Sequence, residues 1–335
     1  MRFPVSRRAL LTAGVSGASL GLLTACGLRL DADPEVPELD SSQALRNRIA
    51  RILSATSPGS GDPDTAGEDL AVFVAAIGPV WSPPTEFATE PAPTEDARTF
   101  VEAAETVSRA VFESASELGS GLIPVLSDVA MGLTLVAGDD ELIDTADELI
   151  RASREEAADT AATPSGEGDS ADSGGDDSAG EADRQAMLNA ILNQSRAAAY
   201  GYERLAVNFE SKSAKRRGAL ARLESLGSLS GEMLGLLGED NADPNASAWR
   251  LDPTPTDART AEELAVGLED GLASALLPWL AEDTSAILRL WESARARTVF
   301  SRPQPLRFAY DDSDDSPSAA ARSTAPATAA TEVTG

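Results

Sequence analysis

The sequence predicts an all-α protein, and three observations carry that reading. Leu188, Ile191, Ser195, Ala198, Tyr202, Leu205 and Phe209 recur at intervals of 3, 4, 3, 4, 3 and 4, the spacing that lines one side of a packed helix. Only 4% of residues are aromatic while alanine is abundant, and small side chains with high helix propensity favour close helix packing. No segment alternates Val, Ile, Thr or Tyr with polar residues as a half-buried strand does. With 335 residues, 42% of them hydrophobic, the chain has enough core for two helical units.

Residues 1–25 read as an export signal. Arg2, Arg7 and Arg8 precede an apolar run from Ala9 to Leu23 with no acid among them. Gly14, Gly17 and Gly21 dilute that run below what a spanning helix needs, so cleavage is expected. Ser6, Arg7 and Arg8 followed by Leu10 and Leu11 resemble a twin-arginine signal in which Leu replaces the usual Phe. The twin-arginine and general secretory routes both stay open. Leu23, Thr24, Ala25 and Cys26 resemble the lipobox of bacterial lipoproteins, and that resemblance implies that Cys26 becomes the acylated first residue. Cys26 is the only cysteine, so no intramolecular disulfide can form. Two or three acyl chains make a lasting anchor. No later stretch is expected to be long and apolar enough to cross a bilayer, which leaves the lipid anchor on the extracytoplasmic face of the cell membrane as the expected membrane contact.

The formal charge is −28, and loss of the leader would make the mature chain more acidic still. Such a surface repels phosphate backbones, so no nucleic-acid partner is expected. The chain has no histidine. Ser-His-Asp and Cys-His catalysis, the usual zinc sites and two-His di-iron sites are thereby excluded. Only oxygen ligands remain, and neither an enzyme nor a cofactor is expected.

Residues 26–40, acidic and Pro-containing, read as a tether. An N-terminal helical unit of about five helices follows over residues 41–160. Ser41 and Ser42 offer its first N-cap, with Leu45, Ile49, Ile52 and Leu53 on one face. Leu70, Phe73, Val74 and Ile77 form a second face, and Trp81 to Pro93 is too Pro-rich for helix. Thr94 opens a helix of about six turns through Phe100, Val107, Val111 and Leu118, ended by Gly119 and Gly121. Leu122, Val125, Leu126, Val129, Leu133 and Val136 mark the fourth helix. Gly138 to Asp140 turns into the fifth, with Leu142, Ile143, Ala146, Leu149 and Ile150.

Residues 161–182 read as an acidic disordered linker without large apolar side chains. Asp169, Asp172, Asp176 and Asp177 lack the Gly and terminal Glu of a calcium loop. In the second unit, residues 183–300, the seam from Leu188 to Phe209 pairs with Leu220, Leu223, Leu226, Met233 and Leu237. After a long connection, Thr256 or Asp257 caps a helix carrying Leu264, Leu268, Leu272, Leu276 and Trp279. Asp283 or Thr284 caps the last, with Ile287, Leu288, Trp291, Ala294 and Thr298 inward. Residues 301–335 read as a disordered tail.

Tyr200, Gly201 and Tyr202, the basic stretch Lys215 to Arg217, and the turn Pro253 to Asp257 together resemble an uncharacterised ferritin-like domain of actinobacterial lipoproteins. The resemblance covers about residues 184–300 and implies an up-and-down four-helix bundle with one long crossover. Relatives often carry an acid and a His just before the Tyr-Gly-Tyr, where this chain has Ser195 and Arg196. That departure counts against oxidase or iron-storage chemistry.

Two candidate sites remain. Glu203, Glu210 and Glu224 with Glu262, Glu263 or Glu269 would be a carboxylate-only metal site, although Glu203 sits beside the buried stripe. Arg196, Tyr200, Tyr202 and Glu203 would line a polar notch near Trp249; the alternative is a core Tyr202 with ordinary ion pairs on the helix flank. No aromatic cluster accompanies any carboxylate pair as a glycosidase would need. The expected function is a non-catalytic binding or structural module of the cell envelope. A metal-binding or enzymatic ferritin-like protein and an assembly or chaperone-like partner of envelope proteins are the alternatives. No small-molecule ligand is legible.

Overall fold

The computed structural model describes residues 39–82, 93–162, 177–310 and 317–318. The leader, Arg7, Arg8, the lipobox and Cys26 lie outside these residues, as do most of the Trp81 to Pro93 crossover, of the acidic linker and of the tail beyond Tyr310. Nine α-helices occur among the described residues: α1 Ser41–Ala55, α2 Ala66–Ile77, α3 Phe100–Glu113, α4 Ile123–Ala137, α5 Asp140–Ala162, α6 Asp177–Leu205, α7 Ala214–Leu237, α8 Ala258–Glu282 and α9 Ala286–Thr298. A two-residue antiparallel pairing joins Ala309–Tyr310 to Pro317–Ser318.

The chain is all-helical, as its periodicity predicts, and several boundaries move for identifiable reasons. Asp40, rather than Ser41 or Ser42, caps α1, its carboxylate accepting from Gln43 N–H at 2.7 Å. Ser42 is buried and its Oγ instead accepts from Gly119 N–H at 2.7 Å. Helix α3 starts at Phe100, not Thr94, because Thr99 and Glu102 form a capping box that satisfies two orphan N–H groups at once. It ends at Glu113 and passes into a 3₁₀ turn, Ala115–Glu117, so it is shorter than six turns. In α2, Phe73 and Ile77 are buried whereas Val74 is 36% exposed. Gly138 ends α4 at φ 66°, a left-handed conformation that glycine adopts without Cβ strain.

All seven seam positions of α6 and the turn beyond it, Leu188 to Phe209, are buried. In α7 the inward register is Ala219, Arg222, Leu226, Leu229, Met233 and Leu237. Leu220, expected inside, is 52% exposed; an arginine occupies the core position beside it. Helices α6, α7, α8 and α9 form a closed ring, with α6 against α7 and α8 and α9 against α8 and α7.

The two helical halves share a core. Helix α4 packs on α2, α3 and α5 of the first half and also on α8 and α9 of the second. All of its residues except Val125 are buried, as required of a helix apolar on every side. The described residues other than Ser82 belong to a single compact unit. Residues 177–182, assigned to a disordered linker, form the first turns of α6.

Residues 301–310, assigned to a disordered tail, are ordered against both halves. Arg302 bonds Thr65 and pairs with Asp69 at 3.0 Å on the α2 side. The Pro305 carbonyl oxygen lies over Gly132 so closely that a Cβ there would overlap it. Phe308 is 5% exposed.

The expectation that nothing after the leader is long and apolar enough to cross a bilayer also needs correcting. Helix α8, 25 residues with mean hydropathy 1.3 over its most apolar window, meets that criterion, and 56% of that window is buried within the protein. Its apolar character belongs to the core of the bundle.

Candidate functional site

The sequence-predicted residues do not converge. Arg196 donates to the Asp243 carbonyl at 2.8 Å. Tyr200 lies under the Arg204 guanidinium, 4.8 Å from ring centroid to Cζ. Glu203 is exposed and Trp249 half-buried, whereas Tyr202 is fully buried. Tyr202 therefore belongs to the core, and the other three residues lie on the helix flank.

The carboxylates proposed as oxygen ligands are dispersed in the same way. Glu203, Glu210 and Glu224 are exposed, Glu262 pairs with Lys215 at 2.6 Å and Glu263 with Arg259 at 2.5 Å. Among the described residues no group of three or more acids is placed to hold a metal ion.

Glu269 alone of that set points into the bundle. Its side chain is 0% exposed and that of Arg222 is 4% exposed. Arg222 Nε donates to Glu269 Oε1 and Nη2 to Oε2, both at 2.8 Å, the two-pronged geometry that strengthens an arginine–carboxylate pair. Tyr202 Oη donates to Glu269 Oε1 at 2.8 Å. Arg222 Nη1 donates to Ser225 Oγ at 2.9 Å, and Ser225 passes a hydrogen bond to Glu292 at 2.9 Å. The pair therefore ties α6, α7 and α8 at the centre of the ring, with α9 reached through Glu292.

Electrostatics follow from burial. Desolvation would weaken the charged form of Arg222, but the Glu269 carboxylate more than offsets it, and the guanidinium holds its proton more tightly than free arginine does. Burial, and next the negative charge of Glu269, push the Tyr202 phenol well above its usual value of 10.0. Neither group is poised to exchange a proton near neutrality, which general acid–base catalysis demands.

A second polar group clamps the ring to the C-terminal segment. Arg307 Nη2 donates to the Glu269 carbonyl at 2.8 Å and pairs with Asp270 at 3.2 Å. Its backbone N–H, with that of Phe308, donates to the buried Asp128 carboxylate of α4 at 3.1 to 3.2 Å. Desolvation lowers the Arg307 pKa, in part offset by Asp270, Glu269 and Asp128. A cavity of about 10 Å³ beside Arg307, Gly132 and Gln304 is barely large enough for one water.

A third group binds α5 to α7 and α9. Glu232 accepts from Arg154 Nη2 at 2.8 Å and from Arg289 Nη2 at 2.5 Å, and Asp147 accepts from Trp291 Nε1 and Arg295. An open depression of about 510 Å³ overlies α6 at Gln185, Asn189 and Asn193. Their amides are spent on the following connection: Asn189 bonds Asn241 O at 3.0 Å and Asp243 N at 2.7 Å, and Asn193 bonds Asp243 at 2.7 Å.

Arg222, Asp128 and Arg307 are not among the residues expected from the sequence. For Arg222 a signal existed: Ala219, Arg222, Leu226, Leu229 and Met233 repeat the 3-4 spacing, with the arginine as its one polar member. No family model, curated protein or solved structure matches the chain.

Proposed function

We propose that the chain is a lipid-anchored protein of the extracytoplasmic face whose body uses a ferritin-like four-helix ring as a non-catalytic binding or structural module of the cell envelope. One observation carries the non-catalytic reading: the carboxylate that enters the middle of the ring is held by the Arg222 fork and the Tyr202 hydroxyl. Bundles of this architecture gather metal ligands from facing helices at that level. A guanidinium there repels a cation and consumes both carboxylate oxygens, so the residues do not fit an oxygen-ligated metal. The ferritin-like reading is supported by the ring of α6 to α9, by the long connection between α7 and α8, and by the Tyr200-Gly201-Tyr202 motif. A Cβ at Gly201 would overlap Leu268, so the glycine lets α6 and α8 approach while Tyr202 reaches Glu269.

The envelope placement rests on the paired arginines, the lipobox and Cys26. Metabolic labelling with a lipid precursor tests it, comparing wild type with Cys26→Ala. Label in the wild type alone supports acylation; equal label in both refutes it.

A further inference from the structure

The charge of the chain is distributed unevenly in a way that points to a partner. In a protein of formal charge −28, the stretch from Glu203 to Arg217 carries five cations and two carboxylates. It forms the turn between α6 and α7 and so one end of the ring. Lys215 is neutralised by Glu262 at 2.6 Å. For Arg204, Lys212, Arg216 and Arg217, no carboxylate among the described residues lies within ion-pair distance, whereas most other arginines are paired. Arg204, Lys212 and Arg217 are exposed.

Two further features belong to the same end. Lys215, Arg216 and Arg217 fill the first turn of α7 with no acid among them, against the positive end of the helix dipole, where cations are disfavoured. Val207 crowns the turn at 69% exposed, and Val299, 36% exposed, lies against Gly218 in the second turn of α7. Exposed apolar side chains at the same end as cations that lack a carboxylate partner, Arg204 resting on Tyr200 and Arg217 donating to the Lys212 carbonyl, match a surface that is anionic at its face and apolar just beneath it.

We propose that this end of the bundle docks on an anionic phospholipid surface, with Arg204, Lys212 and Arg217 on the head groups and Val207 at the level of the acyl boundary. The inference rests on the envelope reading only for bringing that surface within reach. Repulsion from the acidic remainder fades over about 8 Å at physiological ionic strength, so the leading end of the molecule decides the encounter. Glu203 and Glu210 at the same end, with Asp257 and Glu262 from the start of α8 brought there by the Asn208–Pro255 and Lys215–Glu262 contacts, weaken the attraction, which is carried by the cations that have no carboxylate partner.

Co-sedimentation of the full chain with vesicles tests this, using phosphatidylcholine alone and phosphatidylcholine mixed with phosphatidylglycerol. A lipid anchor contributes equally to both vesicles, and a retained leader, cationic through Arg2, Arg7 and Arg8, adds the same anionic preference to every variant, so the quantity read is the change in the anionic excess between wild type and variants. Each cation close to such a surface strengthens binding about fivefold. Arg204→Gln/Lys212→Gln/Arg217→Gln therefore lowers the anionic excess by at least about tenfold, and raised salt abolishes it in the wild type. The matched variant Arg48→Gln/Arg109→Gln/Arg184→Gln removes the same charge elsewhere and keeps the excess. All six side chains are exposed and peripheral to the core, and coincident thermal midpoints verify folding. No anionic excess in the wild type, or equal loss in the two variants, overturns the proposal. Failed lipid labelling would leave the vesicle result standing, so the two failures are distinguishable.

Discussion

Removing Arg222 should be among the most damaging single changes in this protein, and removing its partners along with it should repair most of the damage. Arg222→Met deletes two charge-assisted hydrogen bonds of 2.8 Å, each worth about 1.5–3 kcal/mol. It strands a carboxylate that is 0% exposed with the Tyr202 hydroxyl as its remaining side-chain donor. Breaking a buried pair from one side costs about 3–5 kcal/mol, which for a body of this size lowers the thermal midpoint by roughly 6–20 °C. Arg222→Met/Glu269→Leu/Tyr202→Phe removes the charge, its counter-charge and the hydroxyl that would otherwise be orphaned. That variant should fall within about 1–2 kcal/mol of wild type, because apolar replacement of a whole buried pair is often neutral or better. Urea unfolding of the single and triple variants, with m-values compared, gives both numbers. A single variant that costs less than about 1 kcal/mol at unchanged m would refute the reasoning, since the carboxylate would then have to be reaching water.

Four further outcomes follow from other contacts. Tyr202 has a higher pKa folded than unfolded, so its contribution is complete below the unfolded value of about 10 and is lost as pH rises beyond it; the alkaline fall in stability should be shallower in Tyr202→Phe, read by urea unfolding across that range. Gly132→Ala places a methyl group into the Pro305 carbonyl and should cost about 1–3 kcal/mol, with faster proteolysis around residues 301–310 as its local signature. Asp62 accepts from the N–H groups of Gly59, Phe100 and Val101 at 2.8 to 3.2 Å, so Asp62→Ala should cost about 0.5–2 kcal/mol by uncapping α3, measured by thermal unfolding. Desolvation raises the Asp62 pKa, but those backbone bonds more than offset it and leave it lowered; its contribution is therefore present above the unfolded pKa and lost as pH falls through the folded one, and Asp62→Asn should flatten that acid limb.

Periodicity exposed the helices but not their neighbours. The 3-4 seam from Leu188 to Phe209 names its own buried face, because each position repeats the same choice of apolar or small. In α4, twelve of the fifteen residues from Ile123 to Ala137 are neither charged nor hydroxyl-bearing, the others being Ser127, Asp128 and Thr134, and a helix apolar on nearly all sides must be covered on all sides. That requirement already implied that the second half would pack on the first. Asp128 is the exception in that helix, and its partners are backbone N–H groups almost 180 residues away, which no local pattern records. Thr99 and Glu102 show the opposite case: the capping box is present in the sequence, but the apolar spacing begins earlier, at Ala97, and so favours Thr94 as the start. In α7 the choice of Leu220 over Arg222 followed hydrophobicity where spacing was the better guide. The pairing that makes an arginine tolerable inside, Glu269 on another helix, is a long-range fact.

Metal loading tests most directly whether the centre of the ring is a closed structural core. The purified protein is equilibrated with Fe²⁺, Mn²⁺ or Zn²⁺, freed of unbound ion, and its metal content and thermal midpoint are measured beside those of Glu269→Gln. Occupation of the carboxylate by Arg222 predicts no stoichiometric metal and no rise in midpoint for either protein. A stoichiometric load that stabilises the wild type and disappears in Glu269→Gln would contradict it.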